Sequence, residues 1–302
     1  MNSQRAQDQL ALAAAKANSG GIAWPTLLLG IAAPAAFAAL VWLAAVGELS
    51  YWLVVPLLSY LIYMLYTPLH EAVHRNVSGQ QPGFGWLDDL VGALVSLPLG
   101  ISYTMHRAAH FAHHSKTNDP DHDPDMVFAD GRPSEVLAGA LKIVVSEYAW
   151  YFRVAWPKAS RTERSLIGLE LSLILASRLI PILAGFPLEV LLLGIVPNVV
   201  GVVLVACGFA WLVHYPHDNK ARYQNTSTFI VDSWLNWPMT VIWLGQNYHS
   251  IHHLFPRVPF YRYHQVFGEI RAVMAARGAP IHVLGGGSRS LAANTDDTPV
   301  AR

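Results

Sequence analysis

The chain has 302 residues, of which 53% are hydrophobic and only 13% are charged, and its formal net charge is zero. This composition is typical of an integral membrane protein, and the balanced charge excludes the basic excess that nucleic-acid-binding proteins carry. The single cysteine, Cys207, excludes an internal disulfide and an iron–sulfur cluster held by cysteines. Any electrons that this protein uses must therefore come from another protein.

Residues 1–23 form a polar, alanine-rich segment for which we expect a short interfacial helix. Four apolar stretches follow that are long enough to cross a bilayer as helices, which takes about 20 residues. Short reversals join them in pairs, so we predict two antiparallel helical hairpins. The first stretch has no convincing cleavage site after it, and we expect it to be retained as a span. The predicted spans are 24–46, 51–69, 165–183 and 188–213.

Lysine and arginine lie almost entirely outside the spans and the two short reversals. The segments 1–23, 70–164 and 214–302 hold all but one of the 20. Because these residues accumulate on the cytoplasmic side of membrane proteins, we predict an inner-membrane protein whose termini and long central segment are cytoplasmic. The exception, Arg178, lies near the far end of the third span, from which it is expected to reach the interface.

Two further apolar stretches, 87–103 and 234–244, are interrupted by proline, and we expect both to be interfacial or re-entrant. A crossing by either one would separate the histidine-rich segments onto opposite faces of the membrane. The predicted fold is therefore all-α, with four transmembrane helices in two hairpins and a cytoplasmic helical cap, in one domain over 24–284. The polar tail, 285–302, is predicted to be disordered.

Eleven of the 14 histidines fall into four clusters on the predicted cytoplasmic side. Residues three and four apart share one face of a helix, so each run with the spacing HxxHH directs three imidazoles the same way. Imidazole is a common metal ligand that suits iron and zinc. The sequence therefore predicts a large metal site at the membrane boundary. The clustered residues are His70, His74, His106, His110, His113, His114, His214, His217, His249, His252 and His253.

The first cluster also matches HExxH, the zinc protease pattern in which the glutamate, here Glu71, acts as general base. A zinc hydrolase needs only three protein ligands, which leaves most of the other clustered histidines without a role. A metal sensor or transporter would need a polar path through the spans, and the spans hold few charges. Both alternatives stay open, although the number of imidazoles favours a site for two metal ions.

In chain order, the patterns HxxxH, HxxHH and HxxHH resemble the signature of the membrane fatty acid desaturase and hydroxylase superfamily, over about residues 50–268. The resemblance implies four spans, two iron ions, O2 as co-substrate, and a ferredoxin-like or other redox carrier as electron donor. It implies an enzyme that oxidises C–H bonds of a long apolar lipid. The implied iron ligands are His70, His74, His110, His113, His114, His217, His249, His252 and His253.

The residues around the clusters resemble the cyanobacterial type of β-carotene hydroxylase more than the acyl-CoA desaturases. They are the segments 117–125 (TNDPDHDPD), 215–217 (YPH), 245–256 (GQNYHSIHHLFP) and 258–263 (VPFYRY). The resemblance thus implies hydroxylation of a carotenoid ring, with desaturation of a fatty acyl chain as the alternative. We predict that the acidic part of the first segment is a rigid, solvated turn that orients the second histidine cluster.

Four residues are candidates for hydrogen bonds to the ligands rather than for ligation: His106, His214, Glu71 and Asn247. Relatives often carry Asp or Asn four residues before the isolated ligand histidine, whereas this chain has Val213. The adjacent His214 could substitute for that missing group.

Overall fold

The computed structural model describes residues 2–128 and 133–285. The tail predicted to be disordered lies outside the described residues, apart from Gly285. The described helices are α1 (Asn2–Ala17), α2 (Trp24–Ala45), α3 (Tyr51–Val73), α4 (Trp86–Leu99), α5 (Tyr103–Lys116), α6 (Pro133–Trp150), α7 (Arg161–Leu183), α8 (Pro187–Trp211), α9 (Asn236–Ile242), α10 (His249–Leu254) and α11 (Tyr263–Ala276). The two described strands are β1 (Thr228–Val231) and β2 (Ile281–Leu284).

Within the described residues, four helices are long and apolar enough to cross a membrane: α2, α3, α7 and α8. They coincide with the four predicted spans, with ends that differ by a few residues. The largest differences are that α3 continues to Val73 and that α7 already begins at Arg161. The protein is therefore a mostly helical membrane protein, consistent with the predicted all-α class, and its described residues also include one short β1–β2 pair.

Serine side chains fix the start of two helices. Ser102 Oγ accepts a hydrogen bond from the backbone amide of Met105 at 3.2 Å, before α5. Ser160 Oγ accepts one from the amide of Glu163 at 3.1 Å, before α7, where the spacing S-x-x-E is typical of a capping box. These bonds satisfy amides that the helix itself leaves without acceptors. The first turn of α5, the helix with four histidines, is thereby set.

Helix α8 approaches α3 closely at Gly201. A Cβ atom at this position would lie 2.4 Å from Cβ of Ile62 and 2.8 Å from the carbonyl oxygen of Ser59. Small residues permit such contacts inside membranes, where apolar side chains gain nothing by leaving lipid for protein. The close packing brings together the C-terminal ends of α3 and α8, where two of the histidine clusters lie.

The stretch 87–103 forms α4 and the turn into α5. The last carbonyls of α4 accept hydrogen bonds from two spans: Arg178 Nη1 donates to Leu97 O at 2.8 Å, and Asn198 Nδ2 donates to Leu99 O at 2.7 Å. Side chains are needed there because lipid offers no hydrogen bonds to a helix end. The guanidinium of Arg178, which the sequence predicts to reach the interface, binds the end of α4.

The residues after α8 form a compact unit beside the helix ends. Strands β1 and β2 pair in parallel, with Thr228 opposite Ile281, and α9 to α11 connect them. The stretch 234–244 contributes only the short α9. Helix α10 packs on α11 through a buried apolar cluster that includes Ile251 and Phe267. This unit carries the last histidine cluster to the ends of the spans.

The N-terminal helix α1 belongs to the same unit. Its alanine face, which includes Ala11 and Ala15, is buried in the apolar cluster of α11. Asp8 forms an ion pair with Arg277 at 2.8 Å and accepts a hydrogen bond from Tyr223 at 3.0 Å. The segment expected to form an interfacial helix is therefore a helix that packs against the protein.

Candidate metal centre

Four stretches of the chain bring the clustered histidines into one region. His70 lies in the last turn of α3 and His74 directly after it, four histidines lie along α5, two follow α8, and three lie on α10. The ring centroids of His70 and His252, from the first and the last cluster, are 4.1 Å apart. The clusters thus meet in a single pocket.

Five imidazoles form the larger assembly, the five-histidine group. One nitrogen of each ring lies within 4.8 Å of the others in His70, His74, His110, His114 and His252. Their Nε2 atoms approach in sequence: His74 to His110 at 2.9 Å, His110 to His114 at 3.0 Å, and His114 to His252 at 2.8 Å. A neutral ring nitrogen has either one proton or one lone pair. Nε2 of His110 and Nε2 of His114 each lie close to two other Nε2 atoms, and one proton or one lone pair cannot make a hydrogen bond to both. A cation among the rings could instead bind the lone pair of each Nε2.

Three imidazoles form the three-histidine group: His113, His214 and His253, again with one nitrogen of each within 4.8 Å of the others. Their ring centroids are 4.7 to 5.1 Å apart. The rings of His114 and His253 stack at 4.3 Å and connect the two groups. Two adjacent groups of this kind could hold a pair of metal ions.

Two implied ligands, His249 and His217, belong to neither group. The ring of His249 lies between them, 5.2 Å from that of His252 and 4.8 Å from that of His253. The ring of His217 lies behind His214, with 6.1 Å between the two centroids. His214, rather than the implied ligand His217, is thus the residue after α8 that lies in the three-histidine group.

A buried chain of hydrogen bonds fixes His252. The hydroxyl of Tyr263 lies 3.1 Å from His252 Nδ1 and donates to Glu71 Oε1 at 3.4 Å. Because the only hydroxyl proton goes to the carboxylate, His252 Nδ1 is the donor toward Tyr263, and Nε2 keeps its lone pair. Glu71 also accepts from the Asn76 side chain and from the backbone amide of Phe260, both at 3.2 Å. Protein donors thus occupy both oxygens of this carboxylate.

The acidic turn after α5 fixes His113 in a similar way. Asp123 Oδ1 lies 2.9 Å from His113 Nδ1, and Asp123 also accepts from the backbone amides of Asn118 and Asp125 at 2.8 and 2.9 Å. A carboxylate at Nδ1 sets the ring orientation and directs Nε2 toward the group. The turn orients the second cluster as predicted, but Asp123 is buried, whereas a solvated turn is expected.

Two further imidazoles are held by side chains. His106 lies outside both groups, and its Nδ1 is 3.1 Å from Glu147 Oε1 on α6. Gln246 Oε1 accepts from His249 Nδ1 at 2.8 Å. In both rings the hydrogen bond is made by Nδ1, so Nε2 faces away from the side chain that holds the ring.

Asn247, a candidate for bonding a ligand, donates instead to the carbonyl of Phe229 and to the hydroxyl of Thr240, both at 3.1 Å. These bonds join α9, β1 and the turn before α10. Asn247 therefore supports the segment on which the last cluster lies, and within the described part of the chain its side chain donates to no histidine.

Burial keeps most of the imidazoles outside the spans neutral. It lowers the pKa of His249 to about 3 and that of His217 to about 4. Neutral imidazole is the form that binds metals. Burial likewise lowers the pKa of His74, His110, His114, His214, His252 and His253.

The pKa values of two clustered imidazoles, His113 and His106, are raised rather than lowered. Burial disfavours the charged form of His113, but Asp123 and Asp125 together outweigh it and raise its pKa to about 9. The pKa of His106 is also raised, because the nearby carboxylate of Glu147 outweighs burial. A cation in the three-histidine group would compete with the proton on His113, so metal binding there releases a proton.

The donor atoms fit metal ions. Both ring nitrogens of His70 and of His214 are buried without a hydrogen-bond partner among the described residues, as is Nε2 of His249 and of His253. A buried polar atom without a partner costs free energy, and a cation would remove that cost. Since the donors are nearly all neutral imidazole nitrogens, they suit iron or zinc rather than calcium or magnesium.

A narrow apolar cavity of about 40 Å³ adjoins the five-histidine group. His70 and His110 line it, and α8 contributes apolar walls that include Val202 and Phe209. The pair formed by His106 and Glu147, together with Asp125, adds carboxylates to this lining. The cavity, called the apolar cavity below, has room for a small molecule such as O2 beside the imidazoles.

Sequence reasoning assigns no role to Glu147, Gln246 or Tyr263. A carboxylate in the apolar stretch of α6 is a signal that could have indicated Glu147, and Gln246 precedes His249 by the three residues that place both on one helical face. Tyr263 is different, because it belongs to the helix after the last cluster. No pattern in the sequence indicates that its hydroxyl reaches a ligand.

A search of the curated proteins finds no match to this chain. The family model described as fatty acid desaturase matches residues 49–285, which is well over half of the chain and contains every clustered histidine. The predicted superfamily is thus confirmed, and the more specific resemblance to β-carotene hydroxylases stays a prediction. On this match and on its histidine groups, the chain belongs to the fatty acid desaturase family of membrane oxidoreductases.

Proposed function

We propose that the protein is an O2-dependent di-iron oxidoreductase that oxidises C–H bonds of a long apolar lipid. The observation that carries this proposal is the pair of adjacent histidine groups at the ends of the spans, beside an apolar cavity. A lipid dissolved in the bilayer can approach such a site from the hydrocarbon side. The metal ions can at the same time be held just outside the hydrocarbon, where charge is less costly.

We propose one iron ion in the five-histidine group and a second in the three-histidine group, with His249 between them. In this assignment His214 is a ligand, and His217 supports it from behind. Metal analysis of purified variants tests the choice. We expect His214→Ala to lose about half of the bound iron and His217→Ala to keep most of it. Equal iron loss in both variants, or greater loss in His217→Ala, would restore the ligand set that the resemblance implies.

The iron ions, when bound, supply reductive activation of O2. The protein contributes orientation and a dry environment. Tyr263 and Asp123 hold Nδ1 of their imidazoles, so that Nε2 is available to the metal. The walls of the apolar cavity exclude water from the reacting C–H bond. Glu147 holds His106 Nδ1, and Nε2 of His106, which has no partner among the described residues, can exchange a hydrogen bond inside the cavity.

The proposed location is the inner membrane, with both termini and the metal centre on the cytoplasmic side. The distribution of lysine and arginine supports this orientation, and it gives a water-soluble electron carrier access to the histidine groups. A ferredoxin-like protein fits the need for one-electron delivery, since the chain has no cysteine set for a cluster of its own. Fusing a reporter to either terminus tests the orientation: cytoplasmic signal at both ends is expected.

Among lipid substrates we favour a carotenoid ring, hydroxylated, over a fatty acyl chain, desaturated. The residues around the histidine clusters support this choice, in particular the acidic turn at 117–125 and the last cluster at 245–256. Expression in cells that make β-carotene, followed by extraction of pigments and fatty acids, separates the two. New hydroxycarotenoid is expected. New acyl double bonds with unchanged pigment would assign the protein as a desaturase instead.

A zinc protease of the HExxH type is the distant alternative. Its general base would be Glu71, whose Oε1 already accepts a hydrogen bond from Tyr263 and whose Oε2 accepts one from the backbone amide of Phe260. This arrangement favours a supporting role for the carboxylate. The two functions differ in their need for oxygen: the oxidoreductase is inactive under anaerobic conditions, whereas a protease would retain its activity.

A further inference from the structure

We propose that a second, polar cavity beside His214 is the aqueous route to the metal centre, through which protons enter and water leaves. The inference rests on the proposed oxidoreductase function. The cavity has a volume of about 250 Å³, which is room for several water molecules at about 30 Å³ each. It is called the polar cavity below. Its lining residues include Asn118, His214, Asn225, Thr226, Ser227 and His282.

The polar cavity contains acceptors without protein donors. Asn118 donates through Nδ2 to the carbonyls of Asn219 and Asn225, at 2.8 and 2.9 Å, but its Oδ1 is buried and has no partner among the described residues. Asn225 Oδ1 is likewise buried and has no hydrogen-bond partner among the described residues. Asn118 is 3% exposed. Buried polar atoms of this kind are usually paired with ordered water when the space next to them is polar and large enough.

The polar cavity reaches the metal centre at one ligand. His214 lines it and also belongs to the three-histidine group, and neither of its ring nitrogens has a partner among the described residues. The apolar cavity adjoins His70 and His110 of the five-histidine group and His113 of the three-histidine group, from the side of α8. Among the described residues, none lines both cavities. The centre is thus approached from two sides by two separate cavities, of which the one beside His214 is lined mainly by polar residues.

The reaction needs one route for O2 and the apolar substrate and another for protons and water. Hydroxylation combines one C–H bond, one O2, two electrons from the carrier protein and two protons, and it yields one alcohol and one water. Desaturation removes two hydrogen atoms from the lipid, uses the same two electrons and two protons, and yields two waters. The apolar cavity has room for O2, but protons and water need a chain of polar groups. The polar cavity provides that chain.

Cysteine labelling tests the access directly. Because Cys207 is the single native cysteine, each variant on a Cys207→Ala background carries one thiol. Thr226→Cys lies in the lining of the polar cavity, and Ser227→Cys gives a second lining position. Thr228→Cys is the matched control: it follows directly in the chain, is 0% exposed and does not belong to the described lining. The probe is a small charged methanethiosulfonate, added to purified protein in detergent.

We expect Thr226→Cys and Ser227→Cys to react at least tenfold faster than Thr228→Cys, and all three to react fully after denaturation. Labelling of Thr226→Cys in active protein should lower kcat and leave KM for the lipid unchanged. Comparable rates for Thr226→Cys, Ser227→Cys and Thr228→Cys in folded protein would overturn the proposal. The labelling rates can be measured without iron or substrate. Failure of the labelling test can therefore be distinguished from failure of the product analysis that tests the proposed function.

Discussion

The carboxylate of Glu170, on α7, accepts a hydrogen bond from the hydroxyl of Thr104, in the first turn of α5, at 2.7 Å. It also accepts one from the backbone amide of Thr104 at 3.2 Å and one from the hydroxyl of Ser102. A negative charge is favourable at the N-terminus of a helix, where the amides lack acceptors. One side chain of a span therefore anchors the helix that carries four of the clustered histidines.

Replacing this anchor should destabilise the protein. Glu170→Ala leaves the hydroxyl of the buried Ser102 and the amide and hydroxyl of the half-buried Thr104 without their acceptor, and an unsatisfied buried polar group costs about 1–3 kcal/mol. We expect a lower thermal unfolding midpoint in detergent and a lower iron content per chain. Glu48→Ala, which removes an exposed carboxylate from the reversal after α2, is the control and should change neither. An unaltered midpoint and iron content in Glu170→Ala would show that the anchor contributes nothing.

The hydrogen bond from Tyr263 should influence metal affinity more than stability. Tyr263→Phe removes the acceptor at His252 Nδ1 and so leaves the ring free to rotate or to change tautomer. Loss of such a supporting bond typically lowers metal affinity by about 10- to 100-fold. Competition with a chelator measures it. Tyr261→Phe makes the same change on a half-buried neighbour, and a comparable loss of affinity there would argue against the assigned role.

The raised pKa of His113 predicts how the metal-free protein responds to pH. Because the folded pKa is about 9 and the unfolded value is near 6.5, the stabilisation is full below pH 6.5 and is lost as the pH rises toward 9. The His113 contribution changes the free energy of unfolding by at most about 1.4 kcal/mol per pH unit. Unfolding of chelator-treated protein, followed at several pH values, measures the slope.

Asp123→Asn should flatten that slope, since it removes the largest charge that favours the proton on His113. The exposed Asp121, in the same turn, provides the comparison: Asp121→Asn should keep the slope of the parent. If Asp123→Asn and Asp121→Asn have the same pH dependence, the Asp123–His113 pair is not its source.

The contact at Gly201 predicts a steric effect specific to one face of α8. Gly201→Leu places a side chain against Ile62 and Ser59, and overpacking of this kind costs about 1–3 kcal/mol. Gly194→Leu changes the same helix at a position where an added Cβ meets nothing within 4 Å. We expect lower yield of folded protein and loss of iron in the first variant only, as judged by size-exclusion chromatography and metal analysis.

The spans could be predicted from the sequence because the length and hydropathy of an apolar stretch are local properties. The hydrogen-bond partners of the charged residues inside the spans could not be predicted in this way. The sequence identifies Glu170 as a carboxylate in a span, but its partner Thr104 lies 66 residues away, and only the packing of α7 on α5 brings the two together. The same holds for Arg178, whose position predicts an interfacial side chain and whose contacts depend on where α4 ends.

The sequence predicts which histidines form the centre, but it does not predict how they divide into the five-histidine and three-histidine groups. Spacing along a helix indicates which imidazoles share a face, and it says nothing about a segment after a helix. His214 and His217 both follow α8, and the choice between them depends on the backbone. His217 has φ of 64°, the left-handed region that non-glycine residues seldom adopt. No residue pattern indicates that conformation in advance.

The hydrogen bonds from Arg178 and Asn198 to the end of α4 have a consequence for biosynthesis. Leu97 and Leu99 leave the ribosome well before the two spans that supply their partners. Until α7 and α8 have been inserted, the end of α4 and the start of α5 lack the groups that complete them. We therefore expect the second histidine cluster to take its final position only after α7 and α8 have been inserted, and metal binding at these histidines to follow.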